Sequence, residues 1–320
     1  MHESVITVEA GSRIHFGLLS TRPPFGGAGV MVDRPVTKLS VTRSQVDSDH
    51  VGFIDALEHS AELVARVESL VRTFREHFQI RDTFYRLSIE SLPASHCGFG
   101  SGTQLSLAVL DALCQLHALP CQLPDLAVRL AGRGKRSAVG VHGYRRGGLI
   151  IEEPNENRVL NDIKDHLDVP TGWRVMLLTP FESVDSVSGS VEKKHFEELA
   201  TAEGLERSRS DMEEMLYDRL PNSVHSEDFD AFAKVVGQYN ELSGRMFASM
   251  QGGSHRRGWV GDTITHLREG GYLGVGQSSW GPGVFAWVPS EAVAFQLKSM
   301  MTDVGHVEVA KPIRRRLPAC

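Results

Sequence analysis

The spacing of apolar and polar residues predicts a chain that begins with strands and continues with a long helix. Residues Ile6 to Val8 and Lys38 to Thr42 alternate between apolar and polar types, the period of a half-buried strand, and a loop rich in Gly and Pro separates them. From Asp55 to Phe78 the apolar residues recur at helical spacing, which predicts an amphipathic helix. A further strand, Tyr85 to Ile89, follows it.

The rest of the chain mixes both kinds of element. The predicted elements are the helices Leu105 to Leu116 and Leu123 to Leu130, the strand Leu149 to Ile151, a polar turn from Glu152 to Arg158, the strand Arg174 to Leu178, helical segments at Asp211 to Leu220 and Asp228 to Met250, the strand Val284 to Val288, the helix Glu291 to Met301 and the strand Val307 to Ala310. This order predicts layered α+β architecture. We place a domain boundary near residue 170, which gives domains 1–170 and 171–320.

Length and composition narrow the class of protein. A chain of 320 residues exceeds the common domain size of about 100 to 150 residues, so two domains are expected. No apolar run approaches the roughly 20 residues of a membrane span, and the first residues lack the features of a signal peptide, so we expect a cytoplasmic protein. Four cysteines without a C-x-x-C pair predict reduced thiols. A net charge of -6 argues against non-specific nucleic-acid binding and favours a small-molecule partner.

A glycine-rich loop leads directly into the helix predicted to end at Leu116. Gly98, Gly100 and Gly102 accept positive φ angles, so the loop can turn tightly and deliver free backbone N–H groups to a helix start. The helix dipole favours an anion there, and Ser101 and Thr103 add hydroxyl donors. The segment therefore predicts a phosphate site, although its spacing fits neither the P-loop nor the dinucleotide fingerprint.

Three other segments place polar side chains among glycines. Near the start, Arg13 can hold a phosphate or a carboxylate, and His15 lies two residues further on. The stretch from Gly132 to Gly148 holds five cations and six glycines, which suits a multiply charged anion such as pyrophosphate. In the loop Gly274 to Gly283, Trp280 can stack on an aromatic ring. Taken singly, each segment is also compatible with an ordinary turn or a solvated loop.

Together these segments resemble one family. R-I-H-F-G-L-L, G-F-G-S-G-T-Q-L, G-K-R-S-A-V-G-V-H-G-Y and G-Q-S-S-W-G-P are similar to the beta-ribofuranosylaminobenzene 5'-phosphate synthases, a branch of the GHMP kinase superfamily, from about residue 5 to 312. The resemblance implies an α+β, GHMP kinase-like two-domain fold, with a ribosomal protein S5 domain 2-like N-terminal domain and a ferredoxin-like C-terminal domain.

The resemblance also implies a reaction. Phosphoribosyl pyrophosphate would condense with 4-aminobenzoate or 4-hydroxybenzoate, with loss of CO2 and pyrophosphate, in tetrahydromethanopterin biosynthesis and hence one-carbon metabolism. The kinases of the superfamily carry an aspartate in an S-G-x-D segment, whereas the matching stretch here, Ser137 to His142, has none. A base for phosphoryl transfer is therefore missing, which argues against a kinase.

The resemblance also implies which residues form the site. Catalytic candidates are His15 or His142 for a proton, and Arg136 for charge on the leaving group; Arg13 or Arg22 would hold the benzoate carboxylate. The remaining substrate-binding candidates are Gly98, Gly100, Ser101, Gly102, Thr103, Arg133, Lys135, Ser137, Gln277, Ser278, Ser279 and Trp280. Mg2+ is expected with the pyrophosphate, no organic cofactor is required, and no residue is assigned as a metal ligand.

Other readings remain open at this stage. The chain can be an ATP-dependent small-molecule kinase, or a noncatalytic member of the fold that binds a phosphorylated metabolite. The residues do not decide between an amino and a hydroxy benzoate. A homodimer is simply the commonest assembly of soluble proteins. Membrane and nucleic-acid partners are not expected.

Overall fold

The computed structural model describes residues 4–54, 61–182 and 206–314. In the first half the strands are β1 (Ile6–Leu18), β2 (Gly27–Arg43), β3 (His50–Phe53), β4 (Tyr85–Ser91), β5 (Leu149–Glu153) and β6 (Asp162–Leu167). The helices are α1 (Ala61–Phe78), α2 (Ser101–Leu116), α3 (Leu123–Arg129) and α4 (Val139–Arg146). All six strands join one sheet, in the order β3-β4-β2-β5-β6 with β1 paired to β2.

The long strand β2 organises this first sheet. It pairs with β1 along most of its length, while its first residues pair with β5 and its last residues with β4, all antiparallel. Helix α2 packs on the sheet beside α1, and every residue from Gln104 to Cys114 is buried. The continuous run of helix formers is therefore the signature of a helix enclosed on nearly all sides.

The second half contains a smaller sheet. Its helices are α5 (Glu206–Glu214), a π-helical turn (Met215–Arg219), α6 (Leu220–His225), α7 (Phe229–Arg245), α8 (Ala248–Gln251), α9 (Trp259–Glu269) and α10 (Glu291–Met301). Its strands are β7 (Arg174–Thr179), β8 (Val275–Gln277), β9 (Val284–Val288) and β10 (His306–Ala310), in the antiparallel order β10-β7-β9-β8.

The two sheets share one hydrophobic cluster. Phe16 of β1 makes ring contacts with Phe232, Phe285 and Trp287, with centroid distances of 6.4, 5.8 and 6.3 Å. The strands of the first sheet end at residue 167 and those of the second begin at residue 174. Because apolar residues of both halves pack in the same cluster, the domain boundary near residue 170 stays a prediction.

Several predicted elements differ from the observed ones. The opening strands are much longer than predicted, and the stretch treated as a glycine-rich loop contains α4. The segment 228–250 is broken between α7 and α8, and the segment 211–220 is split by the π-helical turn. The polar turn begins later than predicted, because Glu152 and Glu153 belong to β5. The first residues of the predicted helix, 55–60, lie outside the described residues.

Within the described ranges, no helix combines the length and apolar character that a membrane span requires.

Candidate active site

A cavity of about 890 Å³ lies between the two sheets and is lined from both halves of the chain. Its predicted site residues are Arg13, His15, Thr103, Arg133, Lys135, Arg136, Ser137, Gln277, Ser279 and Trp280. Among the described residues that line it, none is an Asp or a Glu. The chain therefore offers this cavity positive charge and neutral polar groups without compensating carboxylates.

One end of the cavity is built around the start of helix α2. Gly100 precedes the helix with a φ of 76°, and no side chain caps the helix N-terminus. A Cβ at Gly102 would lie 3.3 Å from Nη2 of Arg133 and 3.5 Å from Nη1 of Arg66. Two guanidinium groups thus border a helix end that itself attracts anions, which is the chemistry that a phosphate site requires.

Arg66 lies beside the start of helix α2 without lining the cavity, and the sequence did not reveal this position. It lies in the middle of helix α1, and burial lowers its pKa. An arginine keeps its charge under such conditions, so its guanidinium remains available to an anion. Nothing in the helical spacing of α1 separates Arg66 from the other arginines of that helix, and only the fold places it beside Gly102.

Close packing between the glycine loop and β1 positions Arg13. The backbone N–H of Arg13 donates to Phe99 O at 2.9 Å, and its Nη2 donates to Gly98 O at 3.3 Å. A Cβ at Gly100 would lie only 3.2 Å from Cβ of Arg13. Glycine at position 100 therefore allows the loop to approach the strand that carries this arginine.

The loop after β8 is bonded to the glycine loop through Ser278. Ser278 is fully buried, and its Oγ donates to Gly98 O at 2.8 Å and accepts from the His15 backbone N–H at 3.1 Å. The Gln277 side chain donates to Ser279 O and Gly281 O. Of the predicted ring-binding residues, Ser278 thus joins the two loops, whereas Gln277, Ser279 and Trp280 reach the cavity.

His15 is buried on the cavity wall. Only 3% of its surface is exposed, and Nε2 has no hydrogen-bond partner among the described residues. Burial, with a smaller effect of neighbouring Arg13, holds the pKa of His15 well below its ordinary value. The imidazole is therefore neutral near pH 7 and available as a hydrogen-bonding group.

Several predicted residues lie outside the cavity wall. Nε2 of His142 is 2.8 Å from Asn161 O, and His142 is not among the described residues that line the cavity. Arg22 is exposed to solvent, although its neighbours Thr21 and Pro23 reach the cavity. Gly98, Gly100, Ser101 and Gly102 form the support behind the cationic end and are absent from its lining.

Glu152 holds the C-terminal end of the basic loop, although the sequence predicts that this residue lies in a polar turn. Its Oε1 accepts from Ser137 Oγ at 2.8 Å and from the backbone N–H groups of Ala138 and Val139 at 2.5 and 2.9 Å. Its Oε2 accepts from Asn161 Nδ2 at 3.1 Å. Burial raises the pKa of Glu152, and these hydrogen bonds oppose that rise. The carboxylate holds the start of helix α4 and with it the loop that ends at Ser137.

A second part of the cavity wall, called here the aromatic end, contains Phe247, Trp280, Asn240 and His255. The rings of Phe247 and Trp280 meet edge to face with centroids 4.8 Å apart, and both line the cavity. Asn240 and His255 line the same region and are joined by a 3.1 Å hydrogen bond. Neither residue belongs to a motif recognised in the sequence. An aromatic ring with a polar substituent fits this end.

Comparisons with known proteins agree with this architecture. Residues 63–147 match the model of the GHMP kinases N terminal domain. A homoserine kinase from Cytophaga hutchinsonii and a mevalonate pyrophosphate decarboxylase from Streptococcus pyogenes superpose with TM-scores of 0.66 and 0.68, each at 15% identity. The first superposition covers 99% of this chain and 97% of the kinase, and the second covers 100% and 99%.

Curated relatives point to a particular enzyme within this fold. A beta-ribofuranosylphenol 5'-phosphate synthase from Methanothermobacter thermautotrophicus is 25% identical over 300 residues, which are 88% of each chain. The enzyme of that name from Methanocaldococcus jannaschii is 24% identical and covers 93% of this chain and 94% of its own. These findings confirm the fold and the resemblance predicted from the motifs: the chain is an enzyme with the GHMP kinase fold, similar over most of its length to beta-ribofuranosylphenol 5'-phosphate synthases.

Proposed function

We propose that this chain condenses phosphoribosyl pyrophosphate with 4-hydroxybenzoate or 4-aminobenzoate, with loss of CO2 and pyrophosphate. The observation that carries the proposal is a cavity whose described wall holds four cations and no carboxylate, together with an aromatic pair. A substrate pair made of a polyanionic sugar and a substituted benzoate fits these two groups of side chains. The relatives' name denotes a phenol, which favours 4-hydroxybenzoate.

The cationic end would supply electrostatic catalysis. Breaking the anomeric C–O bond builds negative charge on pyrophosphate, and the reaction accelerates if fixed positive charges stand where that charge develops. Arg133, Lys135 and Arg136 come from one short loop, and Arg13 faces them from β1. Because the Glu152 carboxylate holds the end of that loop at Ser137, these cations are positioned before substrate arrives.

The ring carbon that bears the carboxylate would attack the sugar. A C–C bond forms as the C–O bond to pyrophosphate breaks, and the resulting intermediate regains aromaticity when its carboxylate leaves as CO2. Phe247 and Trp280 exclude water from the ring, and a low-polarity environment favours loss of a carboxylate as a neutral gas. Arg13 would hold that carboxylate until the C–C bond has formed.

The donor set does not fit a metal ion held by the protein. Mg2+ prefers carboxylate and other oxygen ligands, yet no Asp or Glu is among the described residues that line the cavity. The described residues also contain no cluster of three or more His, Cys, Asp or Glu side chains suited to a metal. The predicted Mg2+ would therefore enter the site as a complex with the pyrophosphate group.

The residues of the cavity wall give little support to a kinase activity. The superposed homoserine kinase, at 15% identity, establishes the fold alone. Among the lining residues that the structure describes, no carboxylate replaces the aspartate that is missing from the segment Ser137 to His142. A base for phosphoryl transfer is therefore absent from the described wall of the cavity.

The test is product identification by mass spectrometry. Purified protein would be incubated with phosphoribosyl pyrophosphate, Mg2+ and either benzoate, and in parallel with ATP and the same acceptors. We expect a ribosylated phenol or aniline 5'-phosphate in the first reactions and no phosphorylated acceptor in the second. An ATP-dependent product without a ribosylated arene would overturn the proposal in favour of a kinase. Binding without any product would favour a noncatalytic role.

A further inference from the structure

His255 is held rigidly at the aromatic end of the cavity. Its loop is fixed by Gln251, whose Nε2 donates to Gly244 O and Ser254 O at 3.1 and 2.9 Å. The next residue, Arg256, donates its backbone N–H to Gln277 Oε1 at 2.9 Å. Hydrogen bonds on both sides of His255 therefore fix the backbone that carries the imidazole.

Asn240 determines which nitrogen of His255 carries the proton. Asn240 Nδ2 donates to Phe16 O and Gln277 O at 2.8 and 2.9 Å, and Asn240 Oδ1 accepts from the Gln277 backbone N–H at 3.0 Å. These three partners fix the orientation of the amide. Because Oδ1 can only accept, His255 Nε2, at 3.1 Å, must be the donor.

The remaining nitrogen, Nδ1, then carries a lone pair. It makes no hydrogen bond to any residue in the described ranges, and it is not among the atoms that the protein encloses. Burial of the ring, with a smaller contribution from Arg268, lowers the pKa of His255 to about 4, although Glu241 opposes this. Arg268 is paired with Glu241 at 3.1 Å. The imidazole is thus neutral near pH 7, with a bare acceptor atom in a residue that lines the cavity.

We propose that His255 is a catalytic residue whose Nδ1 accepts the proton of the hydroxyl group para to the reacting ring carbon. This inference rests on the proposed function and deepens it by naming the group that recognises the ring substituent. As the ring carbon bonds to the sugar and pyrophosphate leaves, the O–H bond breaks and its electron pair forms a C=O bond. The proton moves to Nδ1, and a cyclohexadienone that still carries the carboxylate results.

The second half of the reaction restores both groups. The C–CO2 bond breaks, its electron pair rearomatises the ring, and Nδ1 returns the proton to the oxygen atom. A weakly basic imidazole suffices because the hydroxyl becomes strongly acidic once the ring gains positive charge during attack. With 4-aminobenzoate the nitrogen lone pair can stabilise that charge as an iminium ion, so proton removal during attack is less necessary.

The decisive variant is His255→Gln. A Gln side chain can keep an N–H donor near the position of Nε2, and with it the bond to Asn240, but it has no base at the position of Nδ1. His266→Gln is the matched control, since His266 is exposed on helix α9. We would measure kcat and KM with 4-hydroxybenzoate and 4-aminobenzoate, and phosphoribosyl pyrophosphate affinity by calorimetry.

We expect His255→Gln to lower kcat with 4-hydroxybenzoate by about 10²- to 10⁴-fold, with a smaller loss for 4-aminobenzoate and unchanged phosphoribosyl pyrophosphate affinity. His255→Ala should lose activity likewise and regain part of it when imidazole is added. Wild-type activity in His255→Gln, or equal losses for both acids without imidazole rescue, would overturn the role of His255. Wild-type protein that forms no ribosylated product would instead overturn the proposed function, and the two failures are thus distinguished.

Discussion

Arginine side chains around the glycine loop supply most of the positive charge of the cavity wall. Arg136 is half-buried on the cavity wall, in the same loop as Arg133 and Lys135. A hydrogen bond between charged partners contributes about 1.5 to 3 kcal/mol, which corresponds to roughly a tenfold to hundredfold change in rate or affinity. The loss of one such side chain should therefore be measurable while the others still bind substrate.

We expect Arg136→Ala to lower kcat/KM for phosphoribosyl pyrophosphate about 10- to 100-fold, because one positive charge facing pyrophosphate is removed. Arg129→Ala is the control, since Arg129 is exposed and paired with Asp125 on helix α3. Steady-state kinetics at two salt concentrations would check the result. Equal kinetics for the two variants would remove Arg136 from the site.

Glycine at position 98 is required by contact as well as by conformation. Its φ is +86°, and a Cβ there would lie 1.9 Å from Ser278 O. Gly271 offers a matched comparison, because its φ is +87° and a Cβ would meet nothing within 4 Å. The two positions share the conformational cost of a left-handed residue and differ in the steric contact.

Gly98→Ala should therefore destabilise the protein by about 3 kcal/mol or more, whereas Gly271→Ala should cost about 1 to 2 kcal/mol. Urea denaturation of the two variants beside wild type would measure this. Similar losses for both would mean that the two loops do not pack as closely as described.

Helix α7 makes several hydrogen bonds from the second half of the chain to strand β1. Three of its side chains bond consecutive carbonyl groups of that strand: Asn240 to Phe16 O, Tyr239 to Gly17 O and Ser243 to Leu18 O. The helix thus holds the strand that carries the arginine and the histidine of the site.

We expect Asn240→Ala to destabilise the protein by about 3 kcal/mol or more. The change leaves the Gln277 N–H and the carbonyl groups of Phe16 and Gln277 without partners, and each buried unpaired group costs about 1 to 3 kcal/mol. Gln238→Ala, an exposed amide on the same helix, should change stability by less than about 0.5 kcal/mol. Thermal unfolding that ranks the two equally would contradict this role of Asn240.

Local patterns predicted some elements well and missed others for identifiable reasons. Helix α2 and the phosphate loop before it follow from short-range rules, because helix formers and glycines act on their own neighbourhood. Helix α4 was read as a loop because Gly140 and Gly143 lower helix propensity. Glycine is needed at position 143 because the helix packs closely on strand β2: a Cβ there would lie 2.4 Å from Met31 Cγ.

The same distinction applies to the candidate site. Arg13 and the cations from Arg133 to Arg136 could be recognised because each lies in a glycine-rich motif. Glu152, Asn240 and His255 could not, since their importance depends on partners far along the chain. Asn240 and Gln277, for example, are separated by 37 residues, and no local pattern records their contact.

The net charge of the whole chain is opposite in sign to the charge of the cavity wall. The chain carries a formal charge of -6, yet the described cavity wall holds arginines and lysine without carboxylates. The acidic side chains must therefore lie elsewhere. A polyanionic substrate would meet an attractive field at this opening, and its association should weaken as salt is added.

Buried neutral histidines should make the fold sensitive to acid. Burial lowers the pKa of His15, His142 and His255 below the value of about 6.5 in the unfolded chain. Between those values the unfolded state binds more protons, so the free energy of unfolding falls as pH falls, by up to about 1.4 kcal/mol per pH unit for each histidine. Raised pKa values of Glu152 and Glu308 act in the opposite direction.

Comparing wild type with His255→Gln isolates one of these contributions. Urea denaturation at pH 7, 6 and 5 should show that wild type loses more stability than the variant as pH falls below about 6.5. The reason is that both proteins keep His15 and His142, but only wild type has a buried imidazole at position 255. Parallel pH dependences for the two proteins would show that His255 does not enter the fold as a neutral group.

The most direct test of the central claim is the stoichiometry of one reaction. Protein, phosphoribosyl pyrophosphate, Mg2+ and carboxyl-labelled 4-hydroxybenzoate would be incubated together, and labelled CO2, pyrophosphate and ribosylated phenol would be quantified over time. We predict that all three appear in equal amounts, and that Arg136→Ala slows their formation together. Release of pyrophosphate without CO2, or no product from phosphoribosyl pyrophosphate at all, would contradict it.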